Sequence, residues 1–138
     1  MRLPSLITDN ITELLVKIIK FTQSRQRILV RNIKSIRTLG FVPEDLAVDE
    51  FSGVLSDAVA EHTQSQRLVL CDTENIKFGA SGSFKAKPTV DQYAKELLET
   101  SRDEYLELQI NKLLENSLNQ RIAAEMLRRR QGIISVFE

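Results

Sequence analysis

The pattern of apolar and polar positions predicts a long helix at each end of the chain. Between Ser101 and Phe137, good helix formers run without a proline, and Ser101 with Glu104 forms a capping box at the start. A helix of about 36 residues would be about 54 Å long at 1.5 Å per residue. Since a small core cannot bury such a helix along its whole length, we expect it to need partner helices.

The apolar residues of this C-terminal segment recur at helical spacing. They begin with steps of four and three, as in a coiled coil, and continue every four residues. Each step of four overshoots a full turn by about 40°, so the stripe winds around the helix and can face different neighbours at different heights. One broad core-facing side is the alternative interpretation. The predicted contact positions are Leu106, Ile110, Leu113, Leu114, Leu118, Ile122, Met126 and Ile133.

The first long helix is predicted from Ile11 to Ile36. Its apolar face lapses over the polar stretch 22–27, which could divide it into two helices, but nothing there breaks a helix. Gly40 and Pro43 then prevent continuation. The predicted contact positions of this helix are Ile11, Leu15, Ile18, Leu29, Ile33 and Ile36. We therefore expect a mainly α fold whose two long terminal helices pair as an antiparallel coiled coil.

The chain divides into three predicted parts: an N-terminal axial helix in 1–40, a small α+β or irregular insert in 41–88, and a C-terminal helical segment in 89–138 that pairs with the first helix. The insert is too small to hold a core of its own, so it should lean on the long helices.

Within the insert, the pattern predicts a short helix capped by Asp49 and a buried strand over 67–72, in which Cys71 packs in the core. The glycine-containing stretch 79–83 indicates a hairpin or a flexible loop. Thr89 is the predicted cap of a further helix, which either runs into the C-terminal helix or meets it at a bend near Ser101.

Charge is balanced overall but segregated along the chain. The chain has 19 basic and 19 acidic residues, which argues against a dedicated nucleic-acid or membrane-surface binder. Every charge within 17–37 is positive and every charge within 44–61 is negative. These segments either pack on each other, within or between subunits, or form two solvated faces.

Candidate chemistry is weak, and we expect no enzyme activity, metal or cofactor. The chain has one cysteine and one histidine, which are too few for a zinc site without further ligands. A thiol in an apolar run such as that of Cys71 is usually inert, and His62 is expected at the surface. The basic run 128–130 suits the negative end of a helix dipole or acidic neighbours in an assembly; nucleic acid is a weaker alternative.

Two stretches of the chain carry recognisable motifs. Residues 25–46 contain Asn32, Ile33, Thr38, Gly40 and Phe41, which match the signature that ends the N-terminal helix of flagellar axial proteins. Residues 113–137 contain Glu115 to Leu118 and a Gly-Ile-Ile-Ser ending, and they are similar to the C-terminal helix of the proximal rod protein. The two stretches together resemble bacterial flagellar basal-body rod proteins.

The resemblance implies a structural subunit of the periplasmic rod that pairs its terminal helices inside a hollow tube. Its partners would be copies of itself, other rod subunits and the flagellar export apparatus, and no nucleic acid or lipid. It would leave the cytoplasm without a cleaved signal, and the N-terminus has no secretory pattern. The alternative is a free-standing helical interaction module, such as an adaptor or chaperone; a basic-helix nucleic-acid binder is less favoured.

Overall fold

The described chain is mainly helical, as predicted. The computed structural model describes residues 9–79 and 83–136, with side chains as far as Gly132. The elements in chain order are α1 (Asn10–Lys34), β1 (Glu44–Asp45), α2 (Val48–Ser65), β2 (Ile76–Phe78), β3 (Phe84–Ala86), β4 (Thr89–Val90), α3 (Gln92–Thr100) and α4 (Arg102–Val136). The strands form two antiparallel pairs, β1 with β4 and β2 with β3.

Helix α1 is continuous across the polar stretch 22–27, which confirms one helix rather than two. It begins where the carboxylate of Asp9 accepts a 2.7 Å hydrogen bond from the Thr12 amide. It ends at Lys34, two residues before the predicted end at Ile36. Beyond it the chain turns, and Gly40 takes the left-handed conformation (φ 77°) that glycine adopts at low cost.

The hydrophobic core lies between α1, α2 and the β2–β3 hairpin. The rings of Phe21 on α1 and Phe51 on α2 stack with centroids 4.1 Å apart, and Phe84 meets Phe51 edge-on at 5.9 Å. Ile28, Leu46 and Ile76 complete this buried cluster. The insert therefore leans on α1, as its small size requires.

Three predictions within the insert are wrong. Helix α2 begins at Val48 with no side-chain cap, and Asp49 lies in its first turn, where a carboxylate favours the helix dipole. Residues 67–72 form no strand, because the hairpin strands pair only with each other and leave this apolar run without a partner. Cys71 is consequently exposed rather than packed in the core.

The predicted hairpin is present, with Ile76 opposite Ala86 and Phe78 opposite Phe84; its tip, 80–82, lies outside the described residues. Thr89 is not a helix cap, because it pairs with Asp45 in the β1–β4 ladder. The cap of α3 is Asp91, whose carboxylate accepts from the Ala94 amide at 3.1 Å.

Helices α3 and α4 meet at a bend at Ser101, which was one of the two predicted possibilities. The backbone there is extended (φ −151°, ψ 102°), so the helical hydrogen bonds are interrupted. The Ser101 hydroxyl accepts from the Glu104 amide at 3.3 Å, as the capping box predicts.

Helix α4 lies along α1 in antiparallel order. Contacts join Tyr105 to Asn32, then Asn116 to Thr22, and finally Arg130 to Asp9, so α4 runs back along α1 towards its start. Within the described residues, no helix is long and apolar enough to cross a membrane.

Candidate assembly surface

The apolar stripe of α4 is largely exposed. We call this set the outer stripe: Ile110 (41% exposed), Leu114 (64%), Leu118 (56%), Ile122 (50%) and Met126 (47%). All five were predicted contact positions, and none is buried within the described subunit. Monomeric proteins rarely expose contiguous apolar surface of this kind unless it is a binding site.

The fully buried positions of α4 are mostly polar. We call this set the inner face: Tyr105, Gln109, Asn116 and Ala123 are all buried, and Lys112 is half-buried. Apolar periodicity does not identify this face, because most of its residues are polar. The steps from Tyr105 to Gln109, Lys112 and Asn116 are four, three and four, which is the same spacing filled with polar side chains.

Asn32 joins three elements at one end of the inner face. Its side-chain amide donates to the main-chain carbonyl of Glu44 (2.8 Å) and to Oε1 of Gln109 (2.9 Å), and its carbonyl oxygen accepts from the Glu44 amide (3.3 Å). The main-chain carbonyl of Asn32 also accepts from the Tyr105 hydroxyl at 2.9 Å. Asn32 therefore fixes the end of α1 to both β1 and α4.

A second polar contact lies eleven residues after Tyr105 on α4. The side-chain amide of Asn116 donates to the main-chain carbonyl of Thr22 at 2.8 Å. That carbonyl can accept this bond because a carbonyl oxygen has two lone pairs. The Thr22 hydroxyl donates to the carbonyls of Ile18 and Ile19. Directional bonds of this kind set the register of α4 on α1 more strictly than apolar packing would.

Four charged side chains connect α1, β1, α3 and α4. Arg25 donates two hydrogen bonds to the Asp45 carboxylate, at 2.8 and 3.0 Å. The ammonium of Lys112 bonds to Asp45 at 3.0 Å and to Asp91 at 2.6 Å. The basic segment within α1 and the acidic segment after it therefore do meet inside the subunit, at this cluster.

The cluster shifts the pKa values of its members. Burial alone would raise the pKa of Asp45, but the hydrogen bond and charge of Arg25, followed by those of Lys112, outweigh it and lower that pKa. Burial alone would lower the pKa of Lys112, yet Asp91 and Asp45 raise it. The pKa of Tyr105 is raised to about 12, first by burial and then by the charge of Asp91.

The other predicted contact positions lie nearer the interior. Leu15 and Leu29 are buried. Six positions are half-buried, namely Ile11, Ile18, Ile33, Ile36, Leu106 and Leu113. The side chain of Ile133 lies outside the described residues. The structure thus separates the described positions into a buried or half-buried group, which includes Leu106 and Leu113 of α4, and the exposed outer stripe on α4.

The residues of the family signature turn, Asn32, Thr38, Gly40 and Phe41, differ in how far they are buried. Asn32 is buried, and Phe41 is half-buried with its amide bonded to the Thr38 carbonyl at 3.2 Å. Thr38 and Gly40 are exposed. Leu39 at the apex of this turn is fully exposed.

An apolar groove opens between α1, α2 and α4. Its volume is about 280 Å³, and its walls include Leu15, Ile18, Phe21, Leu55, Ile122 and Met126. Since Ile122 and Met126 also belong to the outer stripe, the groove continues the exposed apolar surface towards the core.

The remaining candidate residues have structural contacts. His62 Nδ1 lies 2.8 Å from the side-chain amide of Asn10. Arg128 and Arg129 pair with Glu125 on the helix surface, while Arg130 pairs with Asp9. Among the described residues, no group of His, Cys, Asp and Glu is arranged to hold a metal ion.

Comparisons with known proteins give no relative. No family model, no curated protein and no solved structure matches this chain. Its function must therefore be argued from the surface described above.

Proposed function

We propose that the chain is a structural subunit of the bacterial flagellar basal-body rod, which assembles through its long terminal helices. The observation that carries the proposal is the outer stripe, five large apolar side chains in consecutive turns of α4 that are 41–64% exposed. A helix that leaves such a stripe uncovered needs another helix or sheet to cover it.

Residues 25–46 and 113–137 resemble rod proteins. We therefore propose that the helices covering the outer stripe belong to other rod subunits. Asn32, the buried residue of the signature, holds α1, β1 and α4 together, so the turn after α1 is well defined before assembly. In the proposed rod, α1 and α4 pack as an antiparallel coiled coil, and the insert around α2 lies outside. The subunit would reach the rod through the flagellar export apparatus, without a cleaved signal.

The size of the stripe can be compared with the cost of association. Burying the exposed half of one large apolar side chain yields about 1 kcal/mol, so five yield about 5 kcal/mol, and the surface that they cover on the partner yields a similar amount. Association of two free proteins costs about 4–15 kcal/mol in lost freedom. The gain of one stripe contact therefore lies within the range of its cost, and contacts with further subunits strengthen the assembly.

The experiment is complementation of motility by variants of the outer stripe. Leu114→Asp and Ile122→Asp are each introduced into a strain that lacks its own copy of the gene, with Val59→Asp as the control, because Val59 is an exposed valine on α2. We expect both stripe variants to be non-motile while the folded chain accumulates normally, and the control to swim. Motile flagella built from either stripe variant would refute the proposal.

The second candidate is a free-standing helical interaction module. It is favoured by the interior of the subunit, since the core between α1, α2 and the hairpin is buried and Asn32, Gln109, Asn116 and Thr22 make hydrogen bonds within one chain. This candidate predicts a monomer or dimer that unfolds cooperatively and forms no higher assembly with rod subunits.

A further inference from the structure

A small group of polar residues joins the start of α1 to the end of α2. We call this group the helix-end contact: Asn10 on α1, His62 in the last turn of α2, and Gln66 directly after α2. The side-chain nitrogen of Asn10 lies 2.8 Å from Nδ1 of His62 and donates to the main-chain carbonyl of Gln66 at 3.1 Å. Asn10 therefore connects its helix to a part of the chain that lies 52 to 56 residues away.

The Gln66 carbonyl fixes which way the Asn10 side chain is turned. A carbonyl oxygen can only accept, so the side-chain nitrogen of Asn10, rather than its oxygen, must face Gln66. That nitrogen carries two hydrogens, one for the Gln66 carbonyl and one for His62. If the amide were turned over, its oxygen would face the Gln66 carbonyl with no hydrogen between the two oxygens. The Asn10 nitrogen therefore donates in both directions.

The direction of these bonds fixes the protonation state of His62 in the contact. Because Asn10 donates, Nδ1 of His62 must accept, and only a ring nitrogen without a hydrogen can do so. The ring in this contact is thus neutral and carries its hydrogen on Nε2. A proton added at Nδ1 turns this acceptor into a donor that faces the hydrogens of Asn10. The contact and a protonated His62 therefore exclude each other.

The turn after α2 depends on the same contact. Among the described residues other than glycine, Gln66 alone has a left-handed backbone (φ 61°), a conformation that needs support from its surroundings. Its amide donates to the His62 carbonyl at 2.9 Å, and its carbonyl accepts from Asn10. Movement of Asn10 away from α2 would therefore remove one of these two supports.

The charges around His62 allow it to accept a proton. Histidine is the side chain that ordinarily changes charge between about pH 5 and 8. Among the described residues, His62 forms no ion pair with the charged residues on the elements that meet there. These residues are Asp9, Glu13, Glu61, Arg67 and Arg130. The negative end of the α2 dipole favours a cation in the last turn, so a protonated His62 is tolerated there once it has left Asn10.

Two of the neighbouring carboxylates have partners of their own. Asp9 pairs with Arg130, and Glu61 accepts a 2.8 Å hydrogen bond from a hydroxyl of its own helix. Burial alone would raise the pKa of Asp9, but hydrogen bonds from Thr12 and Arg130 outweigh it and lower that pKa. Asp9 therefore stays ionised in the pH range in which histidine ordinarily titrates.

We infer that His62 is a pH-sensitive switch at the junction of α1 and α2. When it is neutral, it accepts from Asn10 and holds the end of α2 to the start of α1. When it is protonated at Nδ1, it releases Asn10, and the last turn of α2 separates from α1 while the stacked rings of Phe21 and Phe51 stay in place. The switch uses no residue of the outer stripe, so it does not depend on the proposed assembly.

The cost of removing Asn10 at two pH values tests the switch. Asn10→Ala removes both bonds of this side chain, but in acid the parent has already lost the bond to His62. Since one hydrogen bond is at stake, Asn10→Ala should lower the folding equilibrium constant about fivefold more at about pH 8 than at about pH 5. Urea unfolding of parent and variant at each pH measures this cost. An equal cost at both pH values overturns the inference.

His62→Gln is the matched control, because glutamine offers an acceptor oxygen but does not titrate. In this background, Asn10→Ala should cost the same at both pH values. A pH-dependent cost that persists in His62→Gln also overturns the inference, since a group other than His62 would then cause it.

Hydrogen exchange gives a measurement that needs no substitution at Asn10. After correction for the intrinsic effect of pH on exchange, the last turn of α2 in the parent should be less protected at about pH 5 than at about pH 8. His62→Gln should show equal protection at the two pH values. Equal protection in the parent would overturn the inference, whatever the outcome of motility tests on the outer stripe.

Discussion

The two faces of α4 differ in composition, and the difference is opposite to that of an ordinary amphipathic helix. The inner face contacts α1 through Tyr105, Gln109 and Asn116, whose polar atoms bond across the interface. The outer stripe is apolar and exposed. A helix whose only partner were α1 would be expected to turn its apolar stripe inward. The inner face therefore joins α4 to α1 within the subunit, and the outer stripe is left uncovered, where we propose that other subunits bind.

The largest loss of stability is expected when Asp45, the β1 partner of Lys112 on the inner face, is removed. Asp45→Ala leaves Arg25 and Lys112 without their shared carboxylate in a largely buried cluster, and breaking such a pair costs about 3–5 kcal/mol. Urea unfolding should show this loss. Glu107→Ala, at an exposed position of α4 beyond its first turn, is the control and should lie within about 0.5 kcal/mol of the parent. An unchanged midpoint for Asp45→Ala would mean that the cluster does not hold α4 to α1.

Acid should weaken the same cluster. Because the pKa of Asp45 is lowered in the folded protein, its contribution to stability is present above the unfolded pKa of about 3.9 and is lost as pH falls through the folded pKa. The free energy of unfolding, measured against pH, should fall less steeply below pH of about 4 in Asp45→Ala than in the parent. If the free energy of unfolding fell equally steeply with pH in the two proteins, protonation of Asp45 would not contribute to acid unfolding.

A matched pair on the inner face tests whether Asn32 fixes the register. Asn32→Leu leaves the Glu44 amide and carbonyl and the Gln109 side chain without their partners, which should cost about 2–3 kcal/mol. Gln109→Leu should cost less than about 1 kcal/mol, because Asn32 keeps its bond to Glu44 and the buried Nε2 of Gln109, which has no described partner, is removed. Chemical denaturation of both variants decides this, and equal losses would contradict it.

The smallest effect on folding is expected at the outer stripe. Leu118→Asp replaces a side chain that is 56% exposed, so its free energy of unfolding should differ from that of the parent by no more than about 0.5 kcal/mol. A loss of several kcal/mol in a dilute monomer would show that the stripe already has a partner inside the subunit.

Helix positions could be predicted from the sequence because apolar period and capping are local signals. The continuity of α1, the hairpin and the capping box at Ser101 all follow from such signals. The strand predicted over 67–72 is absent, because a strand forms only beside a pairing partner, and local sequence does not show whether a partner is present. Thr89 was misassigned for the same reason, since its pairing partner Asp45 is far away in the chain.

The residues of the outer stripe could be identified from the sequence, but not their exposure within the subunit. Periodicity identifies the outer stripe but does not say what covers it, and a search for apolar positions passes over a polar inner face. The residues that reveal this face, Gln109 and Asn116, become visible only when polar side chains at coiled-coil spacing are considered together with their partners on α1.

The most direct test of the account is the accessibility of the outer stripe before and after assembly. In a Cys71→Ser background, Leu118→Cys provides a thiol at the centre of the stripe, and the rate of its reaction with a maleimide reports its exposure. We expect rapid labelling in the dilute subunit and strong protection once subunits assemble, while a cysteine at the exposed position Asp57 on α2 keeps its rate. Equal labelling of Leu118→Cys in both states would contradict the claim that the stripe is the assembly surface.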